Sequence, residues 1–386
     1  MASVCHIALH QASQTNEQRK RENALGYCMR EEFGPFSQID DFIRLAGGLE
    51  GLAEIDLHLY GRICARIPRS KDELAIPGEV SVLQSRMLTH LLARQWRAAG
   101  NVLEIGTLLG ASTQAIGLGM VANPRRSGRY VAADAFGTYW PEGVMEERLK
   151  PLLGSQALWP EVVEDFRAGS FLRAFEALHA RGRPYSSFLS VRRCLVPLTP
   201  SYSPDALRAV IAEAKPIEVL FIDSAKTFYP VRALMVEVIE HLQPGALVCW
   251  QDQRWFNSYA IPFVNEQCAD ALRLLAIGGD MCLYRYAGGL TRDDVMRRLP
   301  EAPSAVPASG WRDFFVNLAS RSYVANDAYG MVSATLQLAF VLKDLGDLEE
   351  AAKCYYQVRD VPGWRQHKEL MTWAGNELGL APSDQT

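Results

Sequence analysis

Residues 101–113 read NVLEIGTLLGAST, and the fold turns on how this stretch is taken. Val102, Leu103 and Ile105 make a short apolar run suited to a buried strand. Gly106 follows, a residue whose backbone reaches torsions that others resist and which lets a ligand approach the main chain. Gly110 permits close packing where a helix begins, and Ser112 or Thr113 can cap that helix or bond a ligand. The segment 112–122, STQAIGLGMVA, continues as the helix. Free N–H groups at such a helix start favour an anionic ligand end. A dinucleotide site prefers G-x-G-x-x-G, but Leu108 stands where its second glycine would be. Glu104 adds negative charge before the turn, which repels phosphate and suits a cationic ligand. A G-x-x-x-G turn also serves as a plain packing device between strand and helix. The next apolar run, YVAADAF (130–136), sharpens the reading, because Asp134 lies at its tip. A carboxylate there can accept hydrogen bonds from two ribose hydroxyls.

Outward from this centre the pattern repeats. Apolar strands are expected at 188–196, 217–225, 246–252 and 281–286, and helices at 142–153, 160–180, 205–214, 231–242 and 259–276. These strands are continuous apolar runs, as strands covered on both faces should be. Strand–helix alternation predicts an α/β fold with a Rossmann-like, doubly wound, mostly parallel sheet. Helical additions flank it, giving regions 1–95, 96–290 and 291–386. In the first, 14–32 is highly charged, 39–67 has helical periodicity broken at Gly47 and Gly48, and 79–100 reads as one amphipathic helix ended by Gly100. In the last, Pro300, Pro303 and Pro307 mark a linker. ATLQLAFVLKDLGDLEEAAKCYYQV (334–358) then resembles one tetratricopeptide helix–turn–helix, too few for a solenoid.

The 386 residues are 48% hydrophobic and 22% charged, which excludes a disordered or collagen-like chain. A formal charge of −4 offers no basic footprint to nucleic acid or membrane. Residues 105–123 carry no charge, yet their glycines and polar side chains make them too polar for a bilayer span. Eight cysteines are irregularly spaced, the closest pair 14 apart, so no zinc or CxxC motif exists. Reduced thiols and a cytoplasmic location are expected, since the first residues show no secretory signal pattern. The histidines are scattered, and neither a nucleophile elbow nor a P-loop is present.

VLEIGTLLGAST resembles the first motif of class I S-adenosylmethionine (SAM) dependent methyltransferases, and more narrowly the catechol and caffeoyl-CoA type O-methyltransferases. IPGEVSVLQSRMLTHLLARQ (76–95) resembles the helix those enzymes place before the first strand. The resemblance covers about 75–285. It implies SAM as cofactor, with Glu104 and the Gly106–Gly110 turn at its amino-acid part and Asp134 at its ribose. Thr107, Ser112, Ala135, Phe136 and Asp223 complete the implied cofactor contacts. VLFIDSAKTFYP (219–230) is similar to the family's metal and catalytic motif, and CWQDQRW (249–255) to its second metal motif. By that resemblance Asp223, Asp252 and Gln253 match ligands of Mg²⁺, and Lys226 the general base, with Asp252 beside it. Gln253 stands where the family has Asn, and Ser224-Ala225 replace an acid-containing spacing. A second reading therefore stays open, in which Asp223 caps the strand or bonds the SAM amino group without metal.

Aromatic residues crowd the same strand tips, and aromatic faces attract cations such as a sulfonium. Tyr139, Trp140, Tyr229, Trp250 and Trp255 are expected to line a substrate pocket, although aromatics there are often plain core. AFGTYWPEG (135–143) resembles an acid-plus-aromatic loop of methyltransferases acting on natural products. The expectation is an O-methyltransferase with a small secondary metabolite as substrate, no nucleic-acid partner and a homodimer as the state the resemblance suggests. Two alternatives stand beside it. One is intramolecular cyclisation of SAM's amino-carboxypropyl arm, releasing methylthioadenosine. The other is a non-catalytic scaffold.

Overall fold

The computed structural model describes residues 36–380, apart from 138, 180 and 181. The charged stretch 14–32 therefore lies outside the described residues. Seven strands form one sheet: β1 Asn101–Ile105, β2 Tyr130–Asp134, β3 Leu189–Arg193, β4 Ile217–Ile222, β5 Leu242–Trp250, β6 Leu272–Gly278 and β7 Met281–Tyr286. Their order is β3-β2-β1-β4-β5-β7-β6. Neighbours among β1 to β5 pair in parallel, while β7 runs antiparallel to both β5 and β6. The order reverses between β1 and β4, and ligands of open α/β sheets bind at the carboxyl ends beside such a switch point.

Strand β6 is a departure from the sequence reading, which carried a helix through to 276. The helix there stops at Gln267. Leu272–Gly278 then pairs with β7 across a tight reversal, in which Gly279 takes a φ of 68°. Leucine and alanine favour a helix locally, but pairing against β7 overrides that preference. The helix expected over 79–100 is also shorter. It runs Val82–His90 and closes on a wide turn in which the Trp96 N–H donates to Leu91 O at 2.9 Å. The buried Asn123 amide holds the carbonyls of Leu92 and Trp96 at 2.8 and 2.9 Å, which ends the helix before Gly100.

Side chains alternate between the two faces of the sheet. Val102, Tyr130, Val219, Phe221 and Leu247 pack with the N-terminal helices. These are Phe36–Leu45, Gly48–Ile55 and Leu59–Cys64, split at Gly47 and Gly48 as the sequence suggests. Leu103, Ile105, Leu220, Ile222 and Val248 lie in one core with Val332, Leu336 and Leu370 of the C-terminal helices. The proline-marked stretch holds a single turn at Pro303–Ala305 and leads from Pro307 directly into a helix, Ala308–Val324. Helices Ala328–Asp344 and Leu348–Gln357 form the expected hairpin, turning at Gly346 with Asp347 capping the second. Among the described residues six cysteines are free and buried, and no helix is long and apolar enough to cross a membrane.

Candidate functional site

The turn between β1 and helix Ala111–Ala122 is left-handed at three positions, Gly106 (φ 89°), Leu108 (φ 47°) and Gly110 (φ 88°). A Cβ on Gly106 would lie 2.7 Å from the backbone of Asp223 and Ser224, so this glycine lets β1 and β4 close together at their tips. A Cβ on Gly110 would lie 2.0 Å from Nε2 of His179. That imidazole is buried, and burial pulls its pKa down to about 4, so it is neutral. Leu109 O can only accept, so Nε2 donates to it at 2.9 Å and Nδ1 accepts from the Tyr185 hydroxyl, also at 2.9 Å. His179 therefore buttresses the turn from below, a role its isolated position in the sequence did not signal.

Asp134 caps the turn from above. Its Oδ2 accepts from the Thr107 and Leu108 amides at 2.6 and 3.0 Å, and its Oδ1 from the Phe136 amide at 2.7 Å. Two turn N–H groups expected to face a ligand's anionic end are thus already satisfied by this carboxylate. Ala135 and Gly137 are exposed beside it. The Phe136 backbone is left-handed (φ 52°), and its ring is buried against Phe171 and Phe175 at 5.5 and 5.3 Å.

Glu104 occupies a different place from the one expected. It is 0% exposed and accepts from Ser112 Oγ at 2.5 Å, Thr113 Oγ1 at 2.7 Å and the Tyr130 hydroxyl. It ties strand to helix beside the turn, its carboxylate taken up by three hydroxyls. Ser112 Oγ, a second implied cofactor contact, is spent on the same bond. Burial raises the Glu104 pKa from 4.5 to about 7, against the lowering pull of its three hydroxyl partners. The folded state therefore retains a proton that the unfolded chain releases. This contribution to stability is full below pH 4.5 and is lost as pH rises through 7, about 3 kcal/mol at most. His179 acts in the opposite sense near pH 4 to 6.5, so the measurement is a difference. Urea unfolding at pH 5 and pH 8 should show the wild type losing stability relative to Glu104→Gln. An equal gap at both pH values would count against a raised Glu104.

The tips of β4 and β5 bring Asp223, Lys226 and Asp252 together, as the two motifs imply. Asp252 is left-handed (φ 57°), an unfavourable conformation for a non-glycine residue, and pairs with the Lys226 ammonium. The β6–β7 turn adds Asp280, which sequence reasoning missed although Gly278-Gly279-Asp280 is a hairpin signal. Gln84 holds Asp280 in place. Its Oε1 accepts from Ser81 N at 2.7 Å in a capping box, leaving its amide nitrogen to bond Asp280 and Gly278 O. Burial, then the facing Asp252, raises the Asp280 carboxyl to about 7, and the same two causes push Asp223 well above the carboxylate range. Partial burial pulls the Lys226 pKa down, but Asp252 and Asp223 outweigh it and the net shift is upward. Lys226 is thus held as a cation, not as the free amine a general base requires.

Gln253 does not fit a metal ligand. It points away into the core, where its amide donates to the Tyr284 hydroxyl at 2.6 Å and its Oε1 accepts from Asn265 at 3.0 Å. Its side-chain oxygen is therefore committed elsewhere, and Lys226 supplies the cation beside Asp252. Among the described residues no group of three or more His, Cys, Asp or Glu side chains is set to hold a metal ion.

The aromatic residues divide. Tyr139 is 57% exposed, packs edge-on to Trp140 at 5.6 Å and lies within the field of Lys226, Asp223 and Asp252. Trp140 in turn carries the Arg148 guanidinium at 4.0 Å. Tyr229 is half-buried, edge-on to Phe228. Trp250 is fully buried in the core and Trp255 packs on Trp373 of the last helix at 5.1 Å, so neither lines a pocket. A groove of about 580 Å³ lined by Glu266, Phe314, Asn317, Ser320, Arg321 and Val324 involves none of these residues.

Residues 103–253 run from β1 to just past β5. This stretch matches a methyltransferase domain. The sheet that it lies in, parallel from β1 to β5 and antiparallel at β7, is the Rossmann-like, doubly wound sheet that the sequence predicts. Among solved structures the chain is similar to an O-methyltransferase from Bacillus cereus in complex with SAH, at 17% identity and a TM-score of 0.37. That alignment covers 60% of this chain and 98% of the other. A TDP-rhamnose 3'-O-methyltransferase of calicheamicin biosynthesis aligns at 16% identity and a TM-score of 0.36, over 60% and 92% of the two chains. An O-methyltransferase from Streptomyces achromogenes involved in tomaymycin synthesis, in complex with SAM, aligns at 16% and 0.35, over 59% and 90%. A search of curated proteins finds no match to this sequence.

Proposed function

We propose that this chain is a SAM-dependent O-methyltransferase, moving the methyl group of SAM to a hydroxyl of a small secondary metabolite. The observation that carries the reading is the contact of the two half-sites: the Gly106 turn packs directly on the backbone of Asp223, and Asp223 faces Asp252, Lys226 and Asp280. A cofactor seated on the turn thus has its methyl end beside an acid–lysine cluster. Asp134 and the backbone of Ala135 and Phe136 take the ribose side. Asp223 takes the cationic amino-acid side, and Gly106, Thr107 and Gly110 shape the floor.

In the transfer, the acceptor oxygen forms a bond to the methyl carbon, the carbon–sulfur bond breaks, and sulfur keeps the electron pair as S-adenosylhomocysteine. The hydroxyl proton passes to the Asp252–Asp280 carboxylates, whose shared burial places one of them near the neutral range. Lys226 stabilises the developing oxyanion as a fixed cation, which costs no reorganisation at the moment of reaction. Tyr139, Trp140 and Tyr229 line the acceptor side. No step runs through Mg²⁺, because Gln253 is committed elsewhere. The six buried free thiols support a reducing, cytoplasmic setting, and a homodimer with regions 1–95, 96–290 and 291–386 completes the proposal.

Incubation with SAM tests the reaction type. S-adenosylhomocysteine should form only when a hydroxylated acceptor from a phenol and deoxysugar panel is present. Methylthioadenosine released from SAM alone would overturn methyl transfer in favour of cyclisation, and an absence of SAM binding at millimolar concentration would favour a scaffold.

A further inference from the structure

The loop that follows Asp252 is held from outside the sheet domain. Three consecutive carbonyls, those of Gln253, Arg254 and Trp255, accept hydrogen bonds from two side chains of the C-terminal helix Ala328–Asp344. Gln337 spends both protons of one amide nitrogen, on Gln253 O and Trp255 O at 2.8 Å each. Ser333 Oγ donates to Arg254 O at 2.5 Å. Both side chains are buried. The same helix supplies its cap, Asp327, to the Arg254 guanidinium. Arg254 donates in turn to Gly279 O at 2.8 Å, and its backbone N–H to Asp280 O at 3.2 Å. One helix thus grips both the Asp252 loop and, through Arg254, the turn that carries Asp280.

We propose that Gln337 and Ser333 are positioning residues of the acceptor half-site, holding Asp252 in its left-handed conformation against Lys226 and Asp280. The proposal rests on the methyl-transfer reading only for the name of that half-site. A left-handed aspartate is strained, and it persists where the surroundings over-determine it. Two buried donors on a rigid helix meet that need, because they are the partners of the Gln253 and Arg254 carbonyls, while Trp255 O also accepts from the Ser258 N–H at 3.1 Å. The cofactor turn, by contrast, is held by Asp134 and His179, on elements the C-terminal helix does not touch through these bonds. Loss of Gln337 should therefore disturb the acceptor side and spare SAM binding. The C-terminal helices then serve as part of the active-site scaffold.

The test uses the full chain and compares wild type, Gln337→Met, Ser333→Ala, and Thr335→Val, which lies on the same helix but bonds only its own Met331 carbonyl. The first readout is acetic anhydride labelling of Lys226 at pH 8, measured by mass spectrometry relative to the exposed Lys71. Asp252→Asn marks the rate reached when the Lys226 pair is gone. The second readout is SAM affinity by calorimetry. Gln337→Met should raise Lys226 labelling at least fivefold toward the Asp252→Asn rate, with SAM affinity within twofold of wild type and Thr335→Val unchanged. Ser333→Ala, which removes one bond of the three, should give a smaller rise and carries the test if Gln337→Met does not fold. Unchanged labelling in a folded Gln337 or Ser333 variant overturns the proposal, as does a parallel tenfold loss of SAM affinity. Failure of the wild type to bind SAM would instead strike at the function, and the labelling result would stand apart from it.

Discussion

Gly110→Ala should lower stability by about 2–5 kcal/mol, the sum of an overpacked contact and a left-handed alanine. The added methyl would fall 2.0 Å from His179 Nε2, and that ring is fixed at both nitrogens by Leu109 O and the Tyr185 hydroxyl. It has nowhere to move without breaking a buried hydrogen bond. The melting temperature should drop by roughly 5–10 °C. Gly346→Ala isolates the backbone part of the effect. Its φ is 84°, yet nothing lies within 4 Å of the added carbon, so about 1 kcal/mol is expected. If thermal denaturation shows the two variants equally destabilised, the His179 buttress is not what shapes the turn.

Asp134→Ala should weaken SAM binding about 100-fold, close to 2.7 kcal/mol. The carboxylate organises the turn whether or not cofactor is present, since it accepts from the amides of Thr107, Leu108 and Phe136. Deleting it leaves three N–H groups to find water, and a further stability loss of about 2–4 kcal/mol is expected from charge-assisted bonds at a half-buried site. Asp134→Asn separates the two roles. An amide keeps one oxygen acceptor but presents its own N–H₂ to the turn, so it should lose stability and SAM affinity together. Calorimetry that finds a folded Asp134→Asn binding SAM as tightly as wild type would leave Asp134 as a staple of the turn alone.

Much of this was legible from local pattern. The runs 101–105, 130–134 and 217–222 are too apolar for anything but covered strands, and Gly106 and Gly110 mark the turn between strand and helix. The motifs around Asp223, Lys226 and Asp252 place those three at neighbouring strand tips because adjacent parallel strands end on the same edge. The hidden part concerns direction and partners. Glu104 sits one residue before Ile105 in a strand whose side chains alternate, so it faces the layer where Ser112, Thr113 and Tyr130 close around it. Gln253 follows Asp252 in a loop, where the left-handed turn at 252 sends the next side chain into the core.

By itself, then, the sequence determined the parallel strands of the sheet, the glycine turn and the clustering of Asp223, Lys226 and Asp252, since strand period and turn chemistry act over a few residues, whereas β6 came from pairing with β7. Only the tertiary structure decided that Lys226 is a paired cation, that Asp280 joins the cluster, and that Ser333 and Gln337 hold its loop. Those outcomes depend on contacts between residues from about 25 to more than 80 positions apart, and no local pattern specifies which distant side chain will supply a buried donor or charge.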